Sequence, residues 1–442
     1  MLKKCNFARK IILSFDTKTV KTTEYVLLNR RGAFFRSLMV TVLFLSSLQA
    51  AVAVGPLSCP AGAELPADTS AVSAADSLLS TAERLSRLMC DPLTQTVQVG
   101  VEVYDLTADS LLFAYNHRQT MRPASAMKLL TAVTALDRLG PRHRFSTRLY
   151  CTGTVADSTL HGNVYCEGRF DPRFDDDDLR AFADSLLALG IDSIDGSFCA
   201  DLSMKDNVSL GQGWCWDDDN PTLTPLTVGR SDQFMARLIS RLLDAGVCCQ
   251  RSYMRATVPP QAWRVCTREH SMDQVLMPMM KESDNFYAEA MLYQLAAADA
   301  QGPATAKDGL EHIRRLIRRL GFNPSDYRLA DGSGLSLYNY VSPQLLCAFL
   351  KYAWQTPDVY VHLYPSLPIG GVDGTLKKRM RSSHTYDNVH AKTGTLTGVI
   401  SLAGYCTTAT GRQLCFAVIC QGALQPSRAH AFQDRLCQIL CQ

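Results

Sequence analysis

Apolar and polar residues alternate in the segment where the folded part of the chain begins. Thr96–Tyr104 reads TVQVGVEVY, and Ser110–Tyr115 resumes the alternation after a short polar turn, so the period of two predicts a β-hairpin. The period then lengthens. Ala126–Leu139 predicts a helix with Ser125 at its opening and Gly140 in the position a helix C-terminus favours. Phe145–Val155 and Leu160–Phe170 alternate like a second hairpin. Asp177–Leu189 and Ser231–Ala245 have helical spacing, the first ending at Gly190 and the second with Ser231 as its N-cap. Further helices are predicted at Ser283–Ala297, Lys307–Leu320 and Pro343–Trp354. Two apolar strands, Gly398–Thr408 and Gln413–Cys420, follow around the turn Ala409-Thr-Gly411, and a helix at Pro426–Ile439 closes the pattern. No internal repeat is present.

The order hairpin, helix, helices, hairpin, helix predicts an α+β fold, an antiparallel sheet flanked by helices. Its residues fall in two blocks, 76–144 and 269–442, around a mixed α/β insert domain at 145–268. A small, polar stretch at 54–75 reads as a linker.

Composition changes this picture mainly at the N-terminus. The first 53 residues hold nine Lys/Arg and two acids, a net +7, so the whole chain's +3 leaves −4 for the remainder. No basic stripe survives there, which argues against a nucleic-acid partner. The basic segment leads into the apolar run Ser37–Val54: Arg30, Arg31 and Arg36, then Leu38–Leu48, then Ala51-Val-Ala53. That is the layout of a secretory signal cut near Ala53, preceded by an N-terminal extension. An uncleaved anchor is the competing reading, weakened by Ser46, Ser47 and Gln49 in a minimal span. Of 16 cysteines, Cys5 precedes the cut and leaves an odd fifteen in an oxidising compartment. Cys347, Cys415 and Cys420 stand where small apolar residues would. Cys151 and Cys166, on successive predicted strands, are the one disulfide expectation. No cysteine or histidine spacing suits zinc, and no metal or cofactor is expected.

Three short motifs carry the candidate chemistry. Ser125-Ala-Met-Lys128, Ser283-Asp-Asn285 and Lys392-Thr-Gly394 occur once each, in that order. Separately each has a plain reading: Ser125 or Ser283 as a helix cap, Lys128 as a solvated helix lysine, Lys392-Thr-Gly as a strand end. The ordered triple is the toolkit of active-site-serine penicillin-recognising enzymes. Acyl transfer from an amide needs an activated nucleophile, a proton shuttle and donors for the oxyanion. Ser125 suits the nucleophile. Lys128, one helical turn on, suits its base if burial and nearby positive charge from Lys392 keep it partly neutral. Ser283 can relay a proton to the leaving amine, Asn285 can orient Lys128 and substrate, and Thr393 with Lys392 suits a terminal carboxylate. The backbone N–H groups of Ser125 and Thr395 are the candidate oxyanion hole.

The stretches PASAMKLLTA (123–132), GWCWDD (213–218), MKESDNFYAEAML (280–292), DGSGLSLYNYVSP (331–343), GGVDGTLKKRM (370–380) and HAKTGTLTGVISLAGY (390–405) together resemble the D-alanyl-D-alanine carboxypeptidase/endopeptidase family of class C low-molecular-mass penicillin-binding proteins, peptidase family S13. The large insert between the first two motifs separates that family from compact serine β-lactamases. The resemblance implies the serine β-lactamase/D,D-peptidase-like transpeptidase fold. It implies cleavage of the terminal D-Ala-D-Ala bond of peptidoglycan stem peptides, and of D-Ala–meso-diaminopimelate cross-links, without a metal and with covalent inhibition by β-lactam antibiotics. Ser125, Lys128, Ser283, Asn285 and Lys392 would be catalytic, and Thr393, Gly394 and Thr395 substrate-binding. Asp171, in RFDPRF, stands at the family's Gly-Asp-Pro and reads as a turn residue, as does Asp331-Gly-Ser-Gly334 beside the site. A periplasmic location follows from the signal, with peripheral association with membrane or wall allowed. A β-lactamase, or a catalytically idle wall-binding protein, are the competing functions.

Overall fold

A computed structural model describes residues 79–215, 217–218 and 222–442. The signal, linker, Cys5, Cys59, Trp216 and Asp219 lie outside the described residues. Helix α1 (Thr81–Leu88) opens on a capping box between Ser80 and Glu83. Strands β1 (Gln98–Asp105) and β2 (Ser110–Tyr115) form the expected hairpin, and α2 (Met127–Leu139) ends at Gly140, whose φ of 80° is open to glycine. The chain then builds β3 (Arg144–Cys151), β4 (Thr154–Ala156), β5 (Thr159–His161), β6 (Val164–Gly168), α3 (Asp176–Leu187), β7 (Ser193–Asp195), β8 (Phe198–Asp201), α4 (Phe234–Asp244), β9 (Tyr253–Arg255) and β10 (Trp263–Ser271). It returns through α5 (Met272–Lys281), α6 (Asn285–Ala297), α7 (Ala306–Arg319), α8 (Pro343–Gln355) and α9 (Pro357–Ser366). Last come β11 (His390–Leu396), β12 (Val399–Thr407), β13 (Gln413–Gln421) and α10 (Pro426–Cys441).

The main sheet runs β11-β12-β13-β1-β2 and is antiparallel throughout. Its central strands read as unbroken apolar runs because both faces are covered. Ala403 and Tyr405 of β12 and Cys415, Ala417 and Ile419 of β13 join the core of α2, α5, α6, α8 and α9. The alternate residues Ile400, Leu402, Leu414, Phe416 and Val418 face α1 and α10 on the other side, with Val99, Val101 and Val103 of β1. β11 lies at one edge of the sheet and carries the third motif.

Residues 144–271 form a second sheet in the order β10-β3-β6-β8-β9, antiparallel between β10, β3 and β6 and parallel onward. The expected second hairpin is divided in two. A Cβ on Gly153 would lie 1.9 Å from His161 O, and one on Gly162 1.9 Å from Thr152 O, so the strands cross at these glycines. β3 and β6 stay in the five-stranded sheet, while β4 pairs with β5 and β5 with β7 in a small third sheet. Around Phe174, Phe182 and Phe234 this region has a core of its own. Strands β7 to β10 and helices α5 and α9 carried no clear periodic signal: β10 is only partly buried along its length, and α5 and α9 each contain an internal proline.

Three local expectations need correction. Ser231 is not a helix cap; it closes a tight turn with Val228 and accepts from Gln233 N–H, and α4 starts three residues later. Ser283 is not in α6, which begins at Asn285 with the Asp284 carboxylate accepting from Phe286 and Tyr287 N–H. Cys151 and Cys166 are buried free thiols, so the expected disulfide between them is not formed. In the β3–β6 register Cys151 faces Val164 and Cys166 faces Leu149, so the two sit diagonally rather than opposite each other. Asp175 caps α3, its carboxylate accepting from Asp177 and Asp178 N–H. Among the described residues no helix is long and apolar enough to cross a membrane.

Candidate active site

Ser125 lies in a single 3₁₀ turn, Ala124–Ala126, immediately before α2. Neither this turn nor α2 has a side-chain cap, so the Ser125 hydroxyl is not spent on the helix. It accepts instead from Lys128 Nζ at 2.9 Å. Lys128 is fully buried, with two further acceptors: Asn285 Oδ1 at 2.7 Å and the Ser333 carbonyl at 2.8 Å. Burial pushes its pKa down to about 8, against the pull of the Asp331, Glu289 and Asp284 carboxylates.

The second and third motifs meet across one bond. Ser283 is held at φ 63°, a left-handed conformation that serine adopts at some cost, and its Oγ accepts from Lys392 Nζ at 2.8 Å. Lys392 is also fully buried, and its ammonium donates to the Thr393 carbonyl at 2.8 Å as well. Burial first, and the Lys128 charge second, hold its pKa well below the usual lysine value. Sequence reasoning had Lys392 lowering Lys128; here burial dominates for Lys128, and the mutual repulsion weighs on Lys392.

Gly394 is fixed by space. A Cβ there would meet Ser401 Oγ at 2.2 Å, Pro123 O at 2.7 Å and Ser125 N at 2.9 Å, so β11 packs its backbone directly onto the turn that carries Ser125. On the open edge of β11 the Ala391 N–H already donates to Pro368 O. The period of two in an antiparallel ladder turns the Thr393 and Thr395 N–H groups toward that same edge. Thr393 Oγ1 donates to Thr375 Oγ1 at 2.7 Å.

All eight expected residues thus come together, on α2 and its preceding turn, the α5–α6 junction and β11. Four groups that sequence reasoning missed complete the arrangement. Glu289, one turn beyond Asn285 on α6, is buried and accepts from Gly332 N at 3.0 Å and Ser333 N at 2.8 Å. Burial raises its pKa to about 8, with help from Asp331. The Ser333 carbonyl is the third acceptor of Lys128. Trp214 reaches from the 144–271 region to donate its indole N–H to Asp331 Oδ2 at 2.8 Å, and Asp331 also accepts from Gly334 and Ser336 N–H. Thr375 is the fourth. The i, i+4 spacing from Asn285 was the one available signal for Glu289. Asp171 holds its turn through Arg173 N–H and pairs with His270 Nδ1 at 2.8 Å, while His390 stacks on Tyr364 at 4.1 Å behind the strand. Among the described residues no group of three or more His, Cys, Asp or Glu could hold a metal.

A family model described as the D-Ala-D-Ala carboxypeptidase 3 (S13) family matches residues 81–228 and 220–442. The chain is similar to the D-alanyl-D-alanine carboxypeptidase DacB of Haemophilus influenzae, 25% identical over 415 residues that cover 75% of this chain and 86% of the relative. It is equally similar to the D-alanyl-D-alanine carboxypeptidase of Actinomadura sp., 25% identical over 451 residues, covering 80% and 83%. In fold it resembles the crystal structure of penicillin binding protein 4 (dacB) from Haemophilus influenzae, with a TM-score of 0.74 at 23% identity over 81% of this chain and 99% of that one.

Proposed function

The chain belongs to the D-Ala-D-Ala carboxypeptidase 3 (S13) family, and from that premise we propose that it is a serine D,D-carboxypeptidase and endopeptidase acting on peptidoglycan stem peptides through an acyl-enzyme on Ser125. The observation that carries this reading is the three-way coordination of Lys128. A neutral amine has two N–H donors and one lone pair. With the donors held by Asn285 Oδ1 and the Ser333 carbonyl, the lone pair is left for the Ser125 hydroxyl proton. Ser125 Oγ then bonds to the carbonyl carbon of the penultimate D-Ala while Lys128 takes the proton. The N–H groups of Ser125 and Thr395 receive the oxyanion, a donor of this kind being worth on the order of 10²–10³ in rate. As the C–N bond breaks, Ser283, held by Lys392, gives its hydroxyl proton to the leaving amine and takes in its place the proton held by Lys128, which becomes neutral again; the amine belongs to D-Ala or to meso-diaminopimelate of a cross-link. Water then releases the acyl group by the reverse proton route.

A β-lactam would acylate Ser125 by the same steps and stay attached. Residues 145–268 would form an insert domain whose Trp214 braces the site. The N-terminal signal would place the mature enzyme in the periplasm, where its substrate lies. The test is incubation of the mature protein with labelled penicillin and with muropeptides. Wild type should take up label and release D-Ala, and Ser125→Ala should do neither; equal labelling of the variant defeats the assignment. Fast turnover of penicillin would instead establish a β-lactamase. Ser125→Ala, Lys128→Ala and the double variant should lose similar activity, because the two groups act as a unit.

A further inference from the structure

We infer that Thr375 is a substrate-binding residue, which with Thr393 forms a pair of hydroxyls that holds the carboxylate on the residue after the scissile bond. This rests on the reading of the site as a D,D-peptidase and goes beyond it by adding a residue outside the three motifs. The argument begins with Lys392. Its ammonium is fully buried and already donates to Ser283 Oγ and the Thr393 carbonyl, so it supplies a positive field from beneath rather than a direct contact. The donors that face outward there are the hydroxyls of half-buried Thr393 and exposed Thr375, 2.7 Å apart. In the free protein one donates to the other. A carboxylate offers two oxygens, and two hydroxyls this close can each turn to donate to one of them.

The position of Thr375 is built. Asp373 accepts from Ile369 N at 2.9 Å and pairs with Lys281 Nζ at 2.6 Å, and the same ammonium donates to the Leu367 carbonyl at 2.6 Å. Gly374 follows at φ 52°, where a Cβ would lie 2.7 Å from Lys281 O. Leu376, next in the chain, is fully buried. The segment is therefore tied before Thr375 to the tip of α5 through Lys281, two residues before Ser283, and anchored after it by Leu376 in the core that contains Ala391 of β11, and it presents Thr375 to β11. Such anchoring fixes a hydroxyl where geometry matters.

The experiment compares kcat/KM on an N-acylated peptide ending in D-Ala-D-Ala with kcat/KM on its C-terminal amide, for wild type, Thr375→Ala and Thr375→Ser. Wild type should prefer the free acid. Thr375→Ala should reduce that acid-to-amide preference by about 10- to 100-fold, the range for one hydrogen bond to a charged group, and Thr375→Ser should restore most of it. Equal losses on acid and amide, no loss in Thr375→Ala, or a wild type indifferent to the carboxylate would each overturn the inference. A wild type that cleaves neither peptide refutes the peptidase reading instead. Acylation by penicillin and by its methyl ester, in the same three proteins, then decides Thr375 separately: the same collapse of preference supports it, and equal rates or no acylation overturn it.

Discussion

Glu289→Gln tests the electrostatics of the site most directly. With Lys128 pushed down to about 8, about a tenth of it is neutral at pH 7 and about half at pH 8. Acylation should therefore rise about fivefold between those pH values and level off about one unit higher. Glu289 contacts Lys128 through the Ser333 peptide, accepting from Ser333 N while the Ser333 carbonyl accepts from Lys128. At an effective dielectric of ~20, two full charges about 6 Å apart interact by about 2.8 kcal/mol, or about two pKa units. Burial raises Glu289 itself to about 8, so it is only half charged where Lys128 titrates. About one unit of that influence remains. Its negative charge favours protonated Lys128, so the variant should move the rising limb down, to a midpoint near 7. The assay is the second-order rate of acylation by a fluorescent penicillin, measured across the neutral and mildly alkaline range. A variant midpoint that stays put or moves up refutes the coupling. A wild-type rate flat across the range refutes Lys128 as the base.

Three other outcomes are expected. Gly394→Ala should fold but acylate at least about 10²-fold more slowly, because the new methyl drives β11 away from the turn at Ser125; wild-type labelling would show that this contact is not needed. Folded Glu289 keeps its proton up to about 8, whereas the unfolded residue loses it near 4.5, so wild-type stability falls as pH rises through that window. Melting scans should accordingly find Glu289→Gln gaining on wild type from about pH 4.5 to 8, and a constant gap would contradict the burial of a strained carboxylate. Trp214→Phe removes the indole donor from Asp331 but keeps most of the ring. It should cost about 1–3 kcal/mol of stability and slow acylation, and a variant equal to wild type in both would show the bond to be idle.

The main sheet was legible because β1 and β2 alternate with period two while β12 and β13 are unbroken apolar runs around a glycine turn, and the site because SxxK, SDN and KTG name three reactive settings. What stayed hidden was made by contacts distant in sequence. The division of the second hairpin depends on Gly153 meeting His161 O, which alternation alone does not reveal. Ser283 looks like a helix cap, since a serine before a helical run usually is one; Asp284 takes that task and leaves Ser283 free at a positive φ to meet Lys392. Glu289 resembles any polar residue on an amphipathic helix, and only the approach of the 331–334 turn makes it a buried acceptor. Thr375 gains meaning from β11, eighteen residues away.

The indole bond of Trp214 has a consequence for how such an enzyme could be trimmed or tuned. From Trp214 the connections run to Asp331, through the Ser333 hydroxyl at 3.2 Å from Asp331 Oδ2, and by the Ser333 carbonyl to Lys128. Excising 145–268 to leave a compact enzyme would leave the buried Asp331 short of its indole donor. Trp214 in the 144–271 region and Ser333 beside the site therefore bear on one and the same amine, Lys128, although only Ser333 touches it.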